Sequence, residues 1–122
     1  LGRQTEEATK EESSVVTNDN DRKYGYLEKL SQFVRLHERR FFVFTQEGFL
    51  KYYKDEKDDT EPKEIKIARE VQIRTIDDRS FAFEIETKTR TYKLIASTEK
   101  ERDEWVSILN EYRNSLPESE EK

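Results

Sequence analysis

Between Lys29 and Phe42 the stretch KLSQFVRLHERRFF gathers Lys29, Arg35, His37, Arg39 and Arg40 around a single acid, Glu38. Side chains of these types do one kind of chemistry well, which is to hold phosphate oxygens. Arginine offers a planar fork that meets two oxygens at once, and lysine supplies a mobile point charge. Phe33 and Val34 interrupt the same polar run and are placed either to fold back onto a core or to dip into a bilayer beside Arg35. Glu38 opposes a densely charged ligand and offsets about one cation. Strand alternation puts it on the face of Arg40, within reach of Arg40 or Lys29.

Other chemistries are poorly supplied. The chain has no cysteine, which excludes disulfides, thiolate zinc sites and a cysteine nucleophile. His37 is the only histidine, so neither a histidine-based triad nor a multi-histidine metal site can be assembled. Gly2, Gly25 and Gly48 are the only glycines and form no phosphate-binding loop. The run DEKDDTE lacks the glycine and final spacing of a calcium loop and reads as a solvated charge cluster. No enzyme, cofactor or metal is expected.

The cations and the scaffold must be separated from the tails. Of the 122 residues 42% are charged and 32% hydrophobic, with a formal net charge of −5. Residues 1–22 hold three bases and six acids, and residues 117–122 one base and three acids. Taking these from the totals of 23 and 28 leaves 19 of each in residues 23–116. The central segment is neutral overall, so anion binding depends on how its cations cluster. The same balance argues against nucleic acid as the partner of Lys51, Tyr52, Tyr53 and Lys54. No apolar run is long enough to span a bilayer and no signal peptide is present, so a cytoplasmic location is expected. Because the chain begins at Leu1 and contains no methionine, an upstream piece with room for an acylation motif is expected as well.

Residues 1–22 read as a flexible acidic arm, 23–116 as one domain and 117–122 as a disordered acidic tail. YGYLEKLS alternates, with Leu27 and Lys29 on one face. RRFFVFT, the turn pair Glu47-Gly48 and FLKYYK read as a β-hairpin, and Arg40 shares a face with Phe42 and Phe44. EIKIA, VQIRTI, FAFEIET and RTYKLIA follow as short alternating strands, with Asp77 and Asp78 in a turn. Trp105, Ile108, Leu109, Tyr112 and Leu116 then recur at helical spacing, Thr98 and Glu101 make a capping box, and Asn114 with Pro117 closes the helix. The expected architecture is mainly β: seven antiparallel strands in a partly open barrel, capped by one C-terminal amphipathic helix.

The order YGYLEK, RRFFVF, FLKYYK, FAFEIET, RTYKLIA, EKERDEWVSILN resembles a pleckstrin homology (PH) domain over residues 23–116, with Trp105 at that family's helix tryptophan. The resemblance implies a non-catalytic module whose headgroup pocket lies between the first strands, opposite the helix. Lys29 and Arg40 match its basic motif, and Glu38 replaces the middle basic residue. Tyr53 matches a tyrosine of the third strand and Arg90 a basic residue of the seventh, with Arg35 contributing and Arg39 and Lys51 secondary. The resemblance further implies a monomeric membrane-recruitment module, peripheral on a cytosolic membrane face. It would bind anionic phospholipid, either phosphatidic acid or a phosphoinositide, with Phe33 and Val34 inserting and Glu38 setting selectivity. An acylated single-domain PH protein is one form this would suit. The alternative is a protein-interaction adaptor on the same superfold, with a protein partner and no specific lipid.

Overall fold

The computed structural model describes residues 17–31, 36–57, 60–76 and 81–117. The expected roles of Phe33, Val34 and Arg35, and the turn at Asp77 and Asp78, lie outside these residues. Seven strands form one antiparallel sheet: β1 (Lys23–Leu30), β2 (His37–Phe44), β3 (Phe49–Tyr53), β4 (Lys63–Lys66), β5 (Gln72–Thr75), β6 (Ala82–Glu86) and β7 (Thr91–Ile95). Their order is β4-β3-β2-β1-β7-β6-β5, which leaves the two four-residue strands at the edges. Among the described residues a single helix, α1 (Glu99–Ser115), follows. Seven strands and a terminal helix are what the change of hydrophobic period from two to 3.6 predicts.

The inner face of the sheet supplies the core. Leu27 on β1, Phe42 and Phe44 on β2, Leu50 and Tyr52 on β3, Ile65 on β4, Ile73 on β5, Phe83 and Ile85 on β6 and Leu94 on β7 form one buried cluster with Trp105 and Leu109. β2 breaks the alternation: Phe41 and Val43 point to the other face and are buried too. There Phe41 packs against the rings of Tyr26 and Tyr24, with centroids 5.0 and 5.9 Å away. That makes a second, smaller apolar layer outside the barrel.

The helix closes one end. Its N-cap is Thr98, whose hydroxyl accepts a hydrogen bond from the Glu101 N–H at 3.1 Å. Trp105 and Leu109 are buried, Ile108 and Tyr112 pack on the core, and Asn110 donates to the Ile73 carbonyl at 3.3 Å. Lys23, the first residue of β1, reaches Glu104 at 3.1 Å, which fixes the start of β1 at the helix end. The end of β1, with Lys29, therefore lies at the opposite mouth.

The β2–β3 turn is tied to the helix as well. Gly48 adopts φ +93, and the Tyr112 hydroxyl donates to the Glu47 carbonyl at 3.0 Å. A β-carbon at Gly48 would overlap the Tyr112 ring as well as strain the backbone. Gly48→Ala is expected to lower unfolding free energy by about 2–3 kcal/mol, read by denaturant titration.

Candidate functional site

Strand register decides which polar side chains meet at the mouth. Lys29 faces Glu38 on β2 and Leu94 on β7, so it lies on the core side, and Arg40 follows Glu38 on the same face. Phe42 opposes Tyr52, and Tyr52 opposes Lys63, which brings β3 and β4 to the same rim. Arg90 sits just before β7 on the face of Tyr92 and Leu94. Lys29, Glu38, Arg40, Tyr52, Lys63 and Arg90 line one cleft of about 200 Å³. Four cations and one carboxylate give the lining a formal charge of +3, within a domain that is neutral overall.

The cations differ in how they are held. Lys29 is 8% exposed, and its ammonium lies 5.5 Å from the centroid of the Tyr52 ring. Burial lowers its pKa, and neighbouring Arg90, Arg40 and Lys63 push the same way against Glu38. Arg90 stacks on Tyr92 at 4.3 Å, and its buried Nε has no hydrogen-bond partner among the described residues. Arg40 is partly neutralised: one nitrogen is 3.4 Å from Glu38 Oε1 and another donates to the Arg39 carbonyl at 2.9 Å. Burial raises the pKa of the Tyr52 phenol, Tyr92 adds to the rise, and Arg90 opposes it. An acceptor-rich anion entering this cleft would meet converging cationic donors.

Such a site costs stability. With its pKa lowered from 10.5, folded Lys29 gives up its proton before unfolded Lys29 does. Between those two values the unfolded chain binds more protons, so stability rises with pH across that window; below it the penalty is present in full. Lys29→Met is expected to raise the unfolding midpoint at neutral pH, and its advantage should shrink as pH climbs toward 10.5. Parallel denaturation curves at neutral and high pH read the difference.

The structure brings Lys29, Arg40 and Arg90 together with Glu38, but it distributes the other expected residues elsewhere. Tyr53 opposes Phe41 on the outer face, and Tyr52 takes the place in the cleft expected of it. Arg39 lies 3.7 Å over the Tyr26 ring, also on the outer face. Lys51 opposes Val43 there and pairs with Glu64 at 3.8 Å. Sequence reasoning missed Tyr52 and Lys63, although both carry a signal. In KEIKI, Lys63 alternates with Ile65 and Ile67, and Tyr52 alternates with Leu50; starting the fourth strand at Glu64 hid the lysine.

A larger groove of about 520 Å³ runs along α1 beside Glu99, Lys100, Asp103, Glu104, Ser107 and Ile108. Three carboxylates against one lysine make it unfit for an anion. Among the described residues no cluster of His, Asp and Glu is arranged to hold a metal, and no helix is long and apolar enough to cross a membrane.

Comparison with known proteins places this geometry. The PH domain family model matches residues 21–113. The chain is 35% identical to Dedicator of cytokinesis protein 9 of Mus musculus over 86% of its own length, and 33% identical to Kinesin-related protein 1 of Dictyostelium discoideum over 85%. It spans only 6% and 5% of those proteins. Among solved structures, the C-terminal PH domain of pleckstrin in complex with D-myo-Ins(1,2,3,5,6)P5 superposes with TM-score 0.71 at 25% identity, covering 80% of this chain and 99% of that one. The PH domain of human KIAA0053 protein gives TM-score 0.69 at 30% identity, with 88% and 100% covered.

Proposed function

The chain belongs to the PH domain family, and we propose that it is a non-catalytic membrane-recruitment module binding anionic phospholipid headgroups, phosphatidic acid or a phosphoinositide, at the barrel mouth. One observation carries this reading: Lys29, Arg40, Lys63 and Arg90 converge on one cleft from β1, β2, β4 and the approach to β7. Cations spread for solubility would have no reason to crowd where each raises the cost of the others. The pleckstrin domain of the same fold, solved with an inositol pentakisphosphate, supports a headgroup as the occupant.

Magnitudes set the mode of action. Three or four cations contribute about 1 kcal/mol each at an anionic surface. One inserted phenylalanine, the role proposed for Phe33 beside Val34 and Arg35, adds about 1.5–3 kcal/mol. The sum describes weak, reversible adhesion to a cytosolic membrane face, so a second anchor such as an acyl chain or a bound protein would be needed for stable residence. The test is co-sedimentation with phosphatidylcholine vesicles that contain no anionic lipid, phosphatidic acid, or a phosphoinositide. Binding is expected only to the anionic vesicles and should fall as salt is raised. Equal binding to neutral vesicles would overturn the proposal.

The outer face favours a second reading, an adaptor that binds protein. Tyr24 is 52% exposed over the Phe41 layer, next to the stacked Tyr26 and Arg39, residue types that anchor interfaces. Partner binding there would survive charge reversal at the cleft.

A further inference from the structure

The cleft is electrically lopsided, and the asymmetry points to a particular ligand chemistry. Lys29, Lys63 and Arg90 form no ion pair among the described residues, whereas Arg40 is occupied by Glu38 Oε1 and the Arg39 carbonyl. The β2 wall is therefore close to neutral and presents a carboxylate; the other walls are cationic. Glu38 keeps about a third of its side chain exposed, and its second oxygen has no hydrogen bond among the described residues.

Resting on the proposed lipid-binding reading, we infer that Glu38 selects a phosphorylated polyol with few phosphates, by accepting a hydrogen bond from a free ring hydroxyl while the phosphate lies against Lys29, Lys63 and Arg90. A carboxylate has only acceptor sites, so it rewards a hydroxyl and repels a phosphate at the same position. The diacylglycerol phosphate of phosphatidic acid has no ring hydroxyl to offer it beside a fully bound phosphate. Each further phosphate on the ring removes a hydroxyl and brings another anion toward the carboxylate, which repels it. A monophosphorylated inositol lipid satisfies both walls.

The experiment compares vesicles of matched surface charge carrying phosphatidic acid, a phosphatidylinositol monophosphate or a phosphatidylinositol trisphosphate. Soluble inositol bisphosphate, the freed headgroup of the monophosphate lipid, titrated by chemical-shift mapping, separates headgroup recognition from membrane adhesion. Wild type is expected to prefer the monophosphate lipid over phosphatidic acid by about 10-fold, the worth of one charge-assisted hydrogen bond. Glu38→Ala should collapse that ratio toward one without weakening phosphatidic acid binding. Glu38→Lys should move the highest affinity to the trisphosphate. Arg40→Ala should weaken all three lipids yet keep the ratio, which separates direct hydroxyl recognition from a role exerted through Arg40. An unchanged ratio in Glu38→Ala, with anionic vesicles still bound, overturns this inference alone. Failure of wild type to bind any anionic vesicle overturns the lipid-binding reading and this inference together.

Discussion

Replacing Lys29 and Arg90 together by glutamate is expected to abolish binding to anionic vesicles. The two reversals take the cleft lining from +3 to −1, since four cations and one acid become two cations and three acids. At about 1 kcal/mol per charge near an anionic surface, the change is about 4 kcal/mol, or on the order of 10³-fold in affinity. Arg90 is the better partner for Lys29 in this test than Arg40, because part of the Arg40 charge is already taken up by Glu38. The fold should survive: Lys29 is held among cations at a cost, and a glutamate there would face Arg40 and Lys63. Co-sedimentation alongside a thermal melt reads both effects. If the double variant melts normally and sediments like wild type, the cleft is not the binding site.

Trp105→Ala is expected to be the most destabilising single substitution on the helix. The indole is fully buried where α1 closes the barrel, amid a cluster to which every strand of the sheet contributes. Truncating a buried tryptophan costs about 3–5 kcal/mol, in a class of domains whose total stability is about 5–15 kcal/mol. The melting temperature should drop on the order of 20 °C. Trp105→Phe should cost far less, about 1–2 kcal/mol, because it keeps an aromatic ring in place. It also removes an indole N–H that is buried without a hydrogen-bond partner among the described residues. Calorimetry of the two variants side by side checks the ordering. An alanine variant melting within a few degrees of wild type would mean that the helix is not integral to the core.

The helix was legible because its signals are local. Trp105, Ile108, Leu109 and Tyr112 recur at a period set by backbone geometry, and the Thr98 hydroxyl meets the Glu101 N–H inside one turn. The β2–β3 hairpin was legible for the same reason, down to the turn pair Glu47-Gly48, where the structure adds the positive φ of Gly48. RRFFVF was less so. Four consecutive buried residues cannot be divided between faces by their hydrophobicity alone, and only pairing with Tyr26 and Tyr24 shows that Phe41 and Val43 serve a layer outside the barrel.

The candidate site divides along the same line. Lys29 and Arg40 could be placed on the core face from their own strands, since alternation ties each to a neighbouring apolar residue. Tyr52 and Lys63 could not be assigned to the cleft without knowing that β3 pairs β2 and β4 pairs β3 in the observed register. A slip of one residue would exchange Tyr52 for Tyr53 and send Lys63 outward. From the sequence alone come the kinds of element, the faces of individual strands, and a surplus of cations near the first hairpin. Which of those cations meet, and that Glu38 engages Arg40 while Lys29, Lys63 and Arg90 form no ion pair among the described residues, was decided by the tertiary structure. Convergence of charges is a property of register between segments far apart in the chain, and no local pattern encodes it.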